Sequence, residues 1–127
     1  MSDKPGISNS EWKIMEELWS ASPRTLMELV RAMRDKYGWA KSTTNTTVRR
    51  MEDKGLVRYE EGPRSRLYMP CCGRADAAEA ETESFLSKVY GGSVGLLVSS
   101  MAGQKGLTED DIEELRRILR EAEEAVK

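Results

Sequence analysis

Residues 41–70 read KSTTNTTVRRMEDKGLVRYEEGPRSRLYMP, and the order of signals within them decides the fold. Ser42 can cap a helix running to about Lys54, and Gly55 is the residue expected just past its end, where a left-handed conformation closes the last turn. Thr44, Thr47, Val48 and Met51 recur at helical spacing and predict a buried face. Thr43, Asn45, Thr46, Arg49 and Arg50 fall largely on the other side. Two short strands follow, LVRYEE and SRLYMP, joined through Gly62-Pro63, with Pro70 ending the second. A helix presenting hydroxyls, an amide and two guanidinium groups, followed by a basic hairpin, is the layout of a winged helix-turn-helix that reads DNA.

Upstream, two further helices are announced by their starts. Ser8 and Glu11 form an S-x-x-E capping box, with Ile7 and Trp12 placed as its hydrophobic staple. Trp12, Met15, Leu18 and Trp19 then make one apolar stripe, which Ser20 to Pro23 interrupt. Thr25 and Glu28 repeat the capping box, and Leu26, Leu29, Val30 and Met33 supply a second buried face before Gly38 ends it. Three helices and a hairpin within about 65 residues give the winged-helix order. The predicted architecture is mostly α with a small β-hairpin wing. A winged helix-turn-helix DNA-binding domain is assigned to residues 1–72 and a helical dimerisation domain to residues 73–127.

The second domain has a different composition. Residues 74–90 begin rich in Ala and Glu and finish on Phe85, Leu86, Val89 and Tyr90. After Gly91-Gly92, the residues Val94, Leu97, Val98 and Met101 make a short apolar face. Thr108 opens a last helix whose acidic first turn suits the positive end of its dipole, and Ile112, Leu115, Ile118 and Leu119 lie on its stripe. That helix is about 27 Å long at 18 residues. Stripes this narrow leave apolar surface wet in a lone subunit, so these twelve residues are assigned to a two-fold homodimer interface.

Charge has to be read by position. The chain carries 20 Lys and Arg against 22 Asp and Glu, a net charge of −2. Residues 1–70 hold 13 basic against 10 acidic side chains, whereas residues 71–127 hold 7 against 12. The basic excess thus travels with the reading element, and phosphates respond to that local face rather than to the total. The absence of histidine removes His-activated nucleophiles, His general bases and most zinc sites. Cys71 and Cys72 are adjacent, too few for a metal cage within one chain and badly placed for an unstrained disulfide, so they read as a reduced pair near a loop. Neither a cofactor nor a catalytic group is expected. The N-terminus MSDKPGIS has no apolar signal core and no apolar run reaches the roughly 20 residues of a membrane span, which predicts a cytoplasmic protein without a membrane partner.

The expected double-stranded DNA contacts follow from side-chain reach. Thr43, Asn45 and Thr46 are short enough to approach base edges, where Asn pairs with adenine and a Thr methyl meets the thymine methyl. Arg49 and Arg50 reach guanine edges or the backbone. Lys41 and Ser42 sit at a helix N-terminus, where phosphate is favoured. Arg64 and Arg66 flank the hairpin turn and address the backbone or the minor groove. A run of Thr and Asn is a poor choice for a merely solvated helix, because these residues have modest helix propensity. The competing reading is a winged-helix protein–protein module that does not touch DNA. It predicts an apolar, charge-poor third helix and hairpin, the reverse of what these residues present.

Four stretches together resemble the penicillinase-repressor family, the BlaI/MecI type of winged-helix repressor, with the copper-responsive CopY repressors as relatives. They are ISNSEWKIMEELW at 7–19, WAKSTTNT at 39–46, RRMEDKGLV at 49–57 and FLSKVYGGSVGLLV at 85–98. The resemblance implies a homodimer that binds an operator with dyad symmetry and blocks transcription, with the C-terminal helices making the dimer. Two features of relatives are not carried over. Antibiotic-responsive members are cut at an Asn-Phe bond just after the GGS segment, where this chain has Ser99-Ser100-Met101. Copper-responsive members bind metal through C-terminal Cys-x-Cys motifs, whereas this chain ends REAEEAVK. The resemblance therefore names no inducing signal, whether a regulatory protease or a ligand.

Overall fold

The computed structural model describes residues 6–104 and 106–126. The elements are α1 (Asn9–Ser20), β1 (Arg24–Thr25), α2 (Leu26–Tyr37), α3 (Lys41–Lys54), β2 (Val57–Glu61), β3 (Arg66–Pro70), α4 (Arg74–Tyr90), α5 (Val94–Gln104) and α6 (Glu109–Val126). They fall into two compact units, Met1–Ser84 and Phe85–Lys127. The first unit is a winged helix. Its three-stranded antiparallel sheet has the order β1-β3-β2, with Tyr59 opposite Tyr68 and Arg24 opposite Tyr68 on the other edge.

Both early helices begin with reciprocal capping boxes, Ser8 with Glu11 and Thr25 with Glu28. Gly38 and Gly55 take left-handed conformations at φ 70° and 78°, where a β-carbon is strained, and so end α2 and α3. The predicted cap of α3 is corrected by two residues. Ser42 does not cap the helix; Ala40 is the N-cap, with no side-chain hydrogen bond, and its carbonyl accepts from the amides of Thr43 and Thr44 at 3.1 and 3.3 Å. Ser42 already lies inside the first turn, so its hydroxyl cannot reach round to the amides a cap serves.

One core joins the three helices to the sheet. Ile14, Met15 and Leu18 of α1 meet Leu29 and Met33 of α2, Val48 and Met51 of α3, and Leu56, Val57 and Tyr68 from the wing. Two buried carboxylates fix the helices relative to each other. The Glu11 carboxylate accepts from the Ser8 amide at 2.9 Å and from the Lys54 ammonium at 2.8 Å, pinning the end of α3 to the start of α1. Glu17 pairs with Arg24 at 2.7 Å and with Lys36, tying α1 to β1 and α2. Burial works to raise both carboxyls, but the hydrogen bonds and charges of these partners outweigh it and hold both below the usual carboxylate range. The result is a rigid mount for α3.

The wing is short and its turn is tight. The Gly62 amide donates to the Ser65 carbonyl at 2.9 Å. A β-carbon on Gly62 would lie 2.6 Å from that same oxygen and 3.1 Å from the Leu67 side chain. Glycine is required here by close approach rather than by φ.

The first half of α4 belongs to the winged-helix unit. Ala77 is buried, and Glu81 accepts from the Ile7 amide at 3.0 Å. The boundary assigned from sequence, between residues 72 and 73, marks the end of the wing, while the compact unit continues to Ser84. In the second unit, α5 and α6 contain no buried residue. Phe85 meets the edge of Tyr90 with ring centroids 5.9 Å apart, and Thr108 caps α6 through Asp111. Ser99-Ser100-Met101 lies inside α5. Among the described residues no helix is long and apolar enough to cross a membrane.

Candidate nucleic-acid interface

The α3 helix carries its polar groups outward because Thr44, Thr47, Val48 and Met51 are consumed by the core. Thr47 satisfies its hydroxyl on the Thr43 carbonyl at 2.7 Å, the back-bond a helical threonine makes when turned away from water. Lys41, Ser42, Thr43, Thr46, Arg49 and Arg50 are all exposed. By helical spacing, Ser42, Asn45 and Arg49 form one row, and Thr43, Thr46 and Arg50 an adjacent one. Among the described residues neither Arg49 nor Arg50 is paired with a carboxylate, so both guanidinium groups face solvent with their hydrogen-bonding capacity unused.

Asn45 stands apart from its neighbours. It is half-buried, and its Oδ1 is shut off from solvent without a hydrogen-bond partner. The buried Thr44 hydroxyl is likewise unpartnered. An amide in this position presents its full donor and acceptor pair outward only after its side chain rotates.

The two wing arginines differ in availability. Arg64, at the turn, is exposed and unpaired among the described residues. Arg66 lies over the Tyr59 ring, 4.1 Å from its centroid, and 3.6 Å from the Glu61 carboxylate. The stack and the ion pair hold the Arg66 guanidinium along the strand, leaving Arg64 the less engaged of the two.

One residue that the sequence did not single out lies beside the polar face of α3, and a further arginine is exposed on the wing. Ser10, in the first turn of α1, lines an open polar depression together with Ser42, Thr43, Thr46, Thr47 and Arg50. Only the packing of α1 against α3 brings it there. Arg58 is exposed on β2 directly after the buried Val57. The assembled surface is one of hydroxyls and cations, and α3 has no exposed large hydrophobic side chain.

The turn at Gly62 offers a test of how far the wing contributes. Gly62→Ala is expected to displace the Ser65 carbonyl and loosen the tip, at a cost of roughly 1–3 kcal/mol for a forced contact. Affinity for duplex DNA should fall while the helical circular-dichroism signal stays unchanged. Unaltered binding by a variant with a visibly mobile wing would remove the wing from the interface.

Known proteins match this arrangement. The family profile described as Penicillinase repressor matches residues 7–121. The methicillin resistance regulatory protein MecI of Mammaliicoccus sciuri is 30% identical over 116 residues, covering 89% of this chain and 92% of the relative. The penicillinase repressor of Bacillus licheniformis is 27% identical over 117 residues, covering 92% and 91%. Among solved structures, the Bacillus licheniformis BlaI monomeric form in complex with the blaP half-operator superimposes with a TM-score of 0.53 at 25% identity, over 60% of this chain and 93% of that one.

Proposed function

Because this chain belongs to the penicillinase-repressor family, we propose that it is a sequence-specific DNA-binding transcriptional repressor, working as a homodimer on an operator with dyad symmetry. The observation that carries this reading is the outward face of α3. Its exposed hydroxyls and two unpaired arginines are mounted on a helix locked to α1 by the Lys54–Glu11 contact. A surface of that chemistry, 14 residues long and flanked by a wing, fits a major groove. It does not fit an apolar protein partner, which would need exposed hydrophobic side chains that α3 lacks. Nothing in it suggests an enzyme, and we read the chain as a regulator.

In this reading Thr43 and Thr46 approach base edges, with Asn45 following after rotation of its amide. Arg49 and Arg50 take guanine edges or phosphates. Lys41 and Ser42 hold phosphate at the N-terminus of α3, and Arg64 reaches from the wing with Arg66 in a lesser role. The C-terminal unit supplies the second copy. Phe85, Val89, Val94, Leu96, Met101, Ile118 and Leu119 are between 43% and 62% exposed, an apolar content that a two-fold partner would cover. A dimer then delivers two α3 helices to two half-sites.

Selection of bound fragments from random duplexes tests the proposal. Enriched sequences should contain an inverted repeat whose half-site centres are about 10 base pairs apart or a multiple of that. Binding should weaken steeply with salt, the logarithmic slope being about −0.9 for each phosphate contacted. No enrichment at low ionic strength would end the repressor reading, and enrichment of single unpaired half-sites would end the dimer.

A further inference from the structure

The winged-helix unit contains a pocket of about 360 Å³ on the side of α3 formed by its C-terminal end. Its walls come from the chain entering α1, the end of α3, both roots of the wing and the first half of α4. Ile7, Leu56, Ala77 and Ala80 line it with apolar surface. Its polar lining includes three charged groups, Lys54, Asp76 and Glu81. The Lys54 ammonium is already committed, donating to the Glu11 carboxylate at 2.8 Å and to the Gly6 carbonyl at 3.1 Å. Glu81 accepts only a backbone amide, from Ile7, and among the described residues neither Asp76 nor Glu81 has a cation partner. An apolar-walled pocket with two carboxylates that have no counter-charge among the described residues is complementary to a particular ligand chemistry. The volume lies in the lower part of the range for pockets that hold small organic molecules.

We infer that this pocket, through the unpaired carboxylates of Asp76 and Glu81 beside the apolar walls of Leu56 and Ala80, binds a small organic cation: an amine carrying a compact apolar body. The occupant touches both the end of α3 and the roots of the wing, the two elements that must enter DNA together. Any difference in ligand affinity between the DNA-bound and free arrangements then appears as a change in operator affinity. As a binding site the pocket stands by itself; as a regulatory site it rests on the repressor reading.

The test compares two probes with the same bicyclic body and opposite charge, 1-naphthylmethylamine and 1-naphthylacetate, on the full chain without DNA. Titration calorimetry should show saturable binding of the amine at least tenfold tighter than the acid. The exposed Cys71 thiol lines the same pocket, so its alkylation by iodoacetamide, followed by mass spectrometry, should slow at least threefold with the amine and not with the acid. Asp76→Asn with Glu81→Gln should erase the preference while keeping the Ile7 contact, since the Gln carbonyl still accepts. Ala80→Leu, which fills the pocket, should abolish binding of the amine. Equal binding of both probes, no binding of the amine, or amine binding untouched by either variant would overturn the inference. Those outcomes leave the repressor reading standing, whereas a ligand-free protein that ignores every duplex would sink that reading and leave the pocket intact.

Discussion

Replacing Arg49 and Arg50 together by Ala is expected to abolish retention of operator DNA while leaving the helical spectrum and the oligomeric state unchanged. Both side chains are exposed and unpaired among the described residues, so their removal opens no cavity and strands no buried partner. A base-reading arginine contributes about 1–3 kcal/mol and a phosphate-binding one about one unit of salt slope. If both read bases, the pair accounts for roughly 2–6 kcal/mol in each half-site, and in the proposed dimer the loss is felt twice. The two possible roles separate in the measurement. If either arginine reads guanine, its single variant relaxes sequence preference at one position; if it binds phosphate, all sequences weaken together and the salt dependence flattens. Arg66→Ala makes an informative contrast, because Arg66 is already engaged with Tyr59 and Glu61 and should cost far less. Full retention by the double variant would remove α3 from the interface as drawn.

The second large effect concerns the C-terminal unit. Leu119→Asp should convert a dimer into monomers and, with it, remove tight operator binding although every DNA-facing residue is intact. Leu119 is 62% exposed and Ile118 46% exposed in the single chain, on a helix that has no buried residue. A carboxylate forced into a well-packed apolar contact costs roughly 2 kcal/mol or more, the magnitude of an interface hot spot. In the proposed dimer, two-fold symmetry places the same substitution on both sides of the contact, so the dissociation constant should rise about a thousandfold for a total of about 4 kcal/mol. Sedimentation at micromolar concentration would read the change directly. Thermal unfolding of the winged-helix unit should be unaffected, since its core draws only on residues before α5. A Leu119→Asp protein that still sediments as a dimer would move the interface elsewhere on the chain. A wild-type protein that sediments as a monomer yet binds a full operator tightly would remove the dimer from the mechanism.

Local chemistry made much of the fold legible in the residues. The capping boxes at Ser8 and Thr25 and the left-handed stops at Gly38 and Gly55 are interactions among residues a few positions apart, so sequence alone determined where α1, α2 and α3 lie. The one misplaced boundary, at Ser42, came from a cap that no side chain provides. Periodicity likewise separated the buried Thr44, Thr47, Val48 and Met51 from the outward arginines. Tertiary structure decided everything that depends on residues far apart in the chain. A two-residue strand at Arg24–Thr25 is too short for any alternation to show, and it exists because Leu67 and Tyr68 present an edge to it. Glu11 reads as a capping residue, and nothing local marks Glu17, yet Lys54, Arg24 and Lys36 converge on them and let both stay charged inside the core. Asn45 reads as outward by helical angle, but its carbonyl oxygen is enclosed by neighbours that the angle does not report. The pocket of Asp76 and Glu81 has no sequence signature, because its walls come from four separate stretches that meet only when α4 folds back on the entry to α1. Short-range hydrogen bonding and hydrophobic period are written in neighbouring residues; burial, ion pairing and enclosed space are properties of surfaces in contact, and only packing creates those.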